Sequence, residues 1–235
     1  MIALSWSGGK DSYLALLHLM DEGRKVDRLV STVDENLGRI SMHGVPSSLI
    51  QAQADALGIP IEWVKLPAVC TMEDHSRIMK DHFRTLEKEG FSKMIYGDIF
   101  LKDLRQYRKE LLQSFDLMAE FPLWGMDTAQ LAQSILKLDI KALTVAVSDH
   151  RLGKSFCGIP LDKGFLDSLP DQVDPCGENG EFHTFVTHGP YFSKAVDIQV
   201  RKVVLKGYGG DGDGWDHQFW FADLHPATLS TGGGF

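Results

Sequence analysis

Apolar positions open the chain as a short run, Ile2 to Trp6, which predicts a buried strand. A polar, glycine-rich stretch follows, Ser7-Gly8-Gly9-Lys10-Asp11-Ser12. From Tyr13 to Met20 the apolar residues Leu14, Leu16, Leu17, Leu19 and Met20 suit a buried helix ended near Gly23. The pattern then repeats. Leu29 to Val33 predicts a second strand, and Pro46 to Leu57 a helix closed by Gly58. Ile59 to Leu66 predicts a third strand, followed by an amphipathic helix from Met72 to Glu89 that Gly90 stops. Lys93 to Tyr96 reads as a fourth strand running into Gly97-Asp98. Strands alternating with helices at this spacing imply a parallel sheet with right-handed crossovers.

Pro122-Leu123-Trp124-Gly125 punctuates the chain, and a division into residues 1–124 and 125–235 is expected there. The second part predicts a helix, Thr128 to Lys137, and a β-branched strand, Ala142 to Ser148. A more irregular region follows. Val196 to Leu205 and Gln218 to Leu224 predict late, antiparallel strands. Lys206 to Asp216 reads as a loop, and Thr231 to Phe235 as a flexible tail.

Composition changes this picture little. Hydrophobic residues make up 43% of 235 and charged residues 24%, ordinary for a globular fold with a sizeable core. A net charge of −8 gives no broad basic face and counts against nucleic acid as a partner. Three cysteines, Cys70, Cys157 and Cys176, form no CxxC, which disfavours a disulfide framework or a zinc ribbon and suits reduced thiols in a cytoplasm. The N-terminus is interrupted too early for a signal peptide, and no apolar run approaches the roughly 20 residues of a membrane span. Asp211 to Asp216 lacks the acid pattern of a calcium loop. The nine histidines lack a His-Glu-x-x-His spacing, so no zinc is expected.

The candidate chemistry starts at Ser7 to Ser12, between the first strand and the first helix. A helix N-terminus offers free amides and partial positive charge to an anion. Gly8 and Gly9 leave the backbone unobstructed, Lys10 can neutralise a phosphate, and the Ser7 and Ser12 hydroxyls can donate to it. The spacing is neither that of a Walker A loop nor Gly-x-Gly-x-x-Gly. Phosphate binding is the expectation, against a plain capped turn.

Two further clusters stand out. Glu178 and Glu181, three apart and flanked by Gly177 and Gly180, can converge from a loop to orient an amine and take its proton, or form a solvated acidic turn. Arg105 and Arg108 share one face of a predicted helix. They can clamp an α-phosphate or a substrate carboxylate, or pair on the surface with Asp103 or Glu110. Asp98 suits either a metal or a helix cap. Cys176 reads as a small core or turn residue, and His43 as a candidate lining of the cleft after the second strand.

Ser7 to Ser12 resembles the signature of the N-type ATP pyrophosphatases. Asp174-Pro175-Cys176-Gly177-Glu178-Asn179-Gly180-Glu181-Phe182-His183-Thr184 resembles the acidic string of the diphthine–ammonia ligase family within that group. Pro122-Leu123-Trp124 and the stretch from Gly97-Asp98-Ile99 to Arg105, Arg108 and Glu110 match the same family in kind, so the likeness runs to about Pro190. Asn179 departs from the usual Gly-Gly pair, and Phe182-His183 from the Tyr-Glu of eukaryotic members. The spacing from Asp103 to Arg108 looks more like bacterial relatives.

The resemblance implies an α/β fold of the PP-loop (HUP-like, adenine nucleotide α-hydrolase-like) kind with a smaller C-terminal α+β domain. It implies ATP and Mg2+, with Ser7, Gly8, Gly9, Lys10, Asp11, Ser12, Val33, Gly97, Arg105 and Arg108 at the nucleotide and Asp98 at the metal. Adenine would lie near Ser31 to Asp34. Lys10, Asp98, Glu178 and Glu181 would carry the chemistry. The implied reaction joins ammonia or an amine to a carboxylate or amide oxygen activated as its adenylate, on a small molecule or a protein side chain. A tRNA-modifying enzyme on the same loop, or a non-catalytic ATP sensor, are the alternatives. A homodimer in the cytoplasm is compatible with this reading.

Overall fold

The computed structural model describes residues 1–40, 43–207 and 218–227. The segment Asp211 to Asp216, most of the loop expected from Lys206, and the tail Thr231 to Phe235 lie outside the described residues.

The first half builds a parallel sheet. It contains β1 (Ile2–Ser5), α1 (Lys10–Asp21), β2 (Arg28–Asp34), α2 (Ser47–Leu57), β3 (Ile61–Leu66), α3 (Met72–Lys88), β4 (Lys93–Ile95), α4 (Lys102–Leu112) and β5 (Met118–Glu120). The strand order is β3-β2-β1-β4-β5, with every pairing parallel. The order reverses beside β1. Loops leaving β1 and β4 therefore flank one crevice at the carboxyl edge, where open α/β sheets bind ligands.

Both faces of this sheet are covered, which explains its continuous apolar strands. Leu4, Leu29 and Ile95 point to one core, while their neighbours Ala3, Val30 and Met94 point to the other. Side chains on a strand alternate faces, so one apolar run feeds two cores. The second core is closed by α3 and α4 through Phe83, Leu86 and Leu112. A capping box at Thr71 and Asp74 starts α3.

The second half contains α5 (Thr128–Lys137), β6 (Lys141–Ser148), α6 (Lys163–Ser168), β7 (Phe182–His188), β8 (Ile198–Gly207) and β9 (Gln218–Pro226). Its strands form an antiparallel sheet in the order β7-β6-β9-β8. This sheet does not pack alone. Ile135, Val145, Phe182, Phe185 and Leu224 join Leu4, Leu16 and Ile50 in a single core. The expected division at residue 124 falls in the turn between β5 and α5.

Two strands are absent from the sequence reading. β5 has three residues and an exposed Met118, too short for its pattern to register. β7 follows the acidic string directly, and its histidines mask a strand whose Phe182, Thr184, Phe185 and Val186 are buried. That omission matters, because β7 lies against the glycine-rich loop. No helix among the described residues is long and apolar enough to cross a membrane.

Candidate active site at the junction of the two sheets

The loop after β1 is fixed from three directions. Its start is tied to β2, with the Trp6 amide donating to the Val30 carbonyl at 2.8 Å. Gln53 of α2 is fully buried and donates to the carbonyls of Gly8 (3.0 Å) and Val186 (2.6 Å), while accepting from the Trp6 indole (3.0 Å). The Val186 amide donates in turn to the Gly8 carbonyl at 2.9 Å. Gly8 has φ +77°, and a Cβ there would lie 2.4 Å from Ile50 Cδ1. At Gly9 a Cβ would meet His43 Cε1 at 3.0 Å and the Thr184 carbonyl at 3.1 Å. Protein thus fills the space beside both glycines. They permit close packing of the loop rather than an open approach for a ligand.

The first turn of α1 presents the amide end of the helix to the crevice. Gly9 is the N-cap and provides no side chain, so the turn's amides must find partners outside the helix. The Lys10 amide donates to Thr184 Oγ1 at 3.0 Å. Asp11 and Ser12 follow in the same turn. Ser12 Oγ donates to the Gly9 carbonyl at 3.0 Å and lies 3.4 Å from Ser7 Oγ, which accepts from the Gly9 amide. Lys10 is only 2% exposed, with Nζ 2.8 Å from Asp11 Oδ2 and 5.4 Å over the Phe182 ring. Burial alone would lower its pKa, but the Asp11 carboxylate and then Glu178 overcome this and raise it, so Lys10 stays an ammonium. Desolvation raises Asp11 despite Lys10, with Asp174 and Asp98 adding to the effect.

Gly97 closes the other side of the crevice. A Cβ there would lie 2.8 Å from the Asp11 carbonyl, so only glycine lets β4 run against the first turn of α1. Asp98 is 8% exposed and meets Arg108 through a 2.6 Å Nε–Oδ2 ion contact and a 3.1 Å hydrogen bond to Oδ1. The Arg108 guanidinium lies 4.2 Å over Tyr96. Arg105 lies over Trp124 (4.2 Å) and Phe121 (5.2 Å). Val33, next to last in β2, has a buried side chain, its backbone bridged to Ile40.

The acidic string folds as a tight loop. Asp174 Oδ2 accepts from the amides of Cys176 (3.1 Å) and Glu178 (3.0 Å). Gly177 has φ +66° and lies where a Cβ would be 2.7 Å from the Phe182 carbonyl. The two glutamates then diverge. Glu178 reaches across to β4's loop, accepting from the amides of Ile99 (2.8 Å) and Phe100 (3.4 Å). Desolvation raises it to about 7, against the Ile99 hydrogen bond and with Asp11 contributing. Glu181 turns inward, 1% exposed, and accepts from the Asp174 amide and Asn179 Nδ2, both at 3.1 Å. Cys176 is fully buried, donates to the Thr128 carbonyl at 3.3 Å, and is pushed up to about 12 by burial. It is a thiol, not a nucleophile.

Sequence reasoning passed over Gln53, Thr184 and the pairing of His43 with His183. The two imidazoles stack at 4.6 Å and 29°, and His43 Nδ1 lies 3.3 Å from the Thr184 carbonyl. Desolvation and the Lys10 charge lower both, His43 to about 4, so the stack is uncharged near neutral pH. A cleft of about 670 Å³ lined by Leu136, Ile140, Pro160, His188 and Val196 contains none of these residues.

Family models match both halves of this arrangement. The diphthamide synthase N-terminal domain covers residues 1–114 and the diphthamide synthase C-terminal domain residues 127–214. The chain belongs to the diphthamide synthase family. Among its relatives, the diphthine–ammonia ligase of Danio rerio is 24% identical over 85% of this chain and 86% of its own length. That of Mus musculus is 25% identical over 87% and 85%. The Saccharomyces cerevisiae ligase is 22% identical, with 85% of this chain covering 36% of the longer relative. The first family model spans the glycine-rich loop and α4, and the second spans the acidic loop, so the crevice is built from both.

Proposed function

We propose that this chain is an ATP-dependent carbon–nitrogen ligase that forms AMP and pyrophosphate, with a diphthine-like carboxylate or amide and ammonia as its other substrates. One observation supports this most: the amide end of α1 with its buried ammonium, Lys10, meets a carboxylate poised near neutrality, Glu178, across a single crevice. A phosphate site alone suits many ATP users. A proton acceptor beside it suits attack by an amine.

In the first step an acceptor oxygen attacks the α-phosphorus, and the bond to the bridging oxygen breaks, its electrons leaving with pyrophosphate. The first-turn amides, Lys10, Ser7 and Ser12 hold that leaving group, with Gly8, Gly9 and Gly97 keeping the walls close. Preorganised donors at the developing charge are the largest catalytic term in such reactions. Arg108 and the backbone at Val33 complete the nucleotide seat. In the second step ammonia attacks the acyl carbon, Glu178 takes its proton, and AMP leaves. Glu181 supports this indirectly by holding the loop that carries Glu178. The buried, unpartnered Oδ1 of Asp11 suits a divalent cation such as Mg2+, which would offset phosphate charge, and Asp98 would join it on exchanging its Arg108 contacts. Residues 1–124 would hold ATP, and residues 125–235 would close the crevice over the acceptor, in a cytoplasmic enzyme.

The test uses ATP labelled at the α-phosphate, diphthine and ammonium. AMP and pyrophosphate in equal amounts support the reading. ADP and phosphate without AMP contradict it.

A further inference from the structure

Arg105 and Arg108 sit one turn apart on α4 but have different electrostatic surroundings. Arg108 is neutralised by Asp98. Arg105 forms no ion pair among the described residues. Glu110, on its own helix, instead accepts from Gln106 Nε2 at 2.8 Å, and Asp103 lies exposed. Arg105 Nε is buried without a hydrogen-bond partner. Arg105 is half-buried, and a guanidinium whose Nε is shielded from water and unpaired is left open to an anion that completes it.

The aromatic residues fix where that anion must sit. Trp124 and Phe121 hold the Arg105 guanidinium at 4.2 and 5.2 Å. Stacked contacts of this kind occupy the face of the guanidinium and leave its N–H edge for a planar, bidentate partner. A carboxylate has that shape and charge. The position is also right. The Gly125 amide, next to Trp124, donates to the Ile99 carbonyl at 2.8 Å, and the Ile99 amide donates to Glu178 at 2.8 Å. Ile99 thus links the backbone next to Trp124, the ring that Arg105 lies over, to Glu178. No hydrogen bond or ion pair joins Arg105 to residues 7–12 among the described residues.

We propose that Arg105, stacked on Trp124 and Phe121, is the seat for the acceptor's carboxylate, separate from the groups that hold the phosphates. This rests on the ligase reading above and names its acceptor side. In that role Arg105 is a specificity residue: it selects an anionic acceptor and delivers its oxygen toward the α-phosphorus.

Calorimetric titration of the full chain tests it, first with the non-cleavable ATP analogue bearing an α,β-methylene bridge, then with diphthine on the loaded protein. Arg105→Gln should bind the analogue within about two-fold of the parent but diphthine about 10- to 100-fold more weakly, the loss expected for a charged hydrogen-bonded contact. Arg105→Lys, which keeps the charge and guards against misfolding, should fall between, and Trp124→Leu should weaken diphthine alone. Equal losses for both ligands would assign Arg105 to the nucleotide and overturn the proposal. So would unchanged diphthine binding, or a parent protein that binds no diphthine. A parent that binds diphthine through Arg105 yet makes no AMP would refute the ligase reading while leaving the seat in place.

Discussion

The loop at Ser7–Ser12 and the loop at Asp174–Glu181 are both short, glycine-bearing and placed at a sheet edge, yet their glycines and charges are used differently. In the first, glycines let protein crowd the loop from two sides, and the groups proposed to grip phosphate are the amides and Lys10 at the helix end. In the second, one acid folds the loop and the other leaves it. Glu181 satisfies Asp174 and Asn179 from within, while Glu178 crosses to Ile99. Identical side chains three apart diverge because Gly180, between them, takes φ +83° and turns the backbone. A helical spacing argument would have put both glutamates on one face. A loop does not obey it.

The sharpest way to break this comparison is to remove the charge from the first loop. Lys10→Met should lower AMP formation by about 10³-fold, in the range of a lost transition-state donor. Steady-state assays would check it, and a loss below about five-fold would move the phosphates elsewhere. Next comes the structural acid. Glu181→Ala leaves the Asp174 amide without its buried acceptor and should cost about 3 kcal/mol, lowering Tm by roughly 6–12 °C. Activity per folded molecule should change far less than in the Lys10 variant.

Glu178→Gln should invert that profile, with activity falling about 10- to 100-fold and the fold intact. Its pH dependence has a defined sign. The folded protein holds Glu178 at about 7, above the ordinary carboxyl value of 4.5, so the folded state binds more protons between these values. Stability from this group is present below pH 4.5 and lost as pH rises through 7. The variant should therefore be more stable than the parent above pH 7, by about 1 kcal/mol after allowance for solvent screening, and equal near pH 4.5. Melting curves at pH 4.5 and 8 read this out, and activity of the parent should rise through pH 7. The smallest effect is expected at Cys176. Cys176→Ala should change turnover by less than about two-fold, since its buried thiol stays protonated and contributes only packing.

Much of the first sheet was legible because its strands alternate with helices at regular spacing and each helix carries a stop at Gly23, Gly58 or Gly90. The glycine-rich turn between β1 and α1 was legible from its position and residue types. β7 was not, because a strand buried by a partner sheet has no alternation to betray it, and its two histidines resemble a loop. With β7 unseen, Thr184 and Gln53 had no visible role, since their partners lie 174 and 133 residues away in the chain. Arg105 and Arg108 looked equivalent in sequence. Only the placement of Asp98 beside one and Trp124 beside the other separates them.

Pyrophosphate binding measures the central claim most directly, because it asks only whether the amide end of α1 and its lysine grip the outer phosphates. Calorimetry of the parent against a Lys10→Ala, Ser12→Ala double variant should show pyrophosphate competing with ATP in the parent. Affinity for both should drop at least about 10-fold in the variant. Equal affinity in the two proteins would place the nucleotide elsewhere and contradict the account.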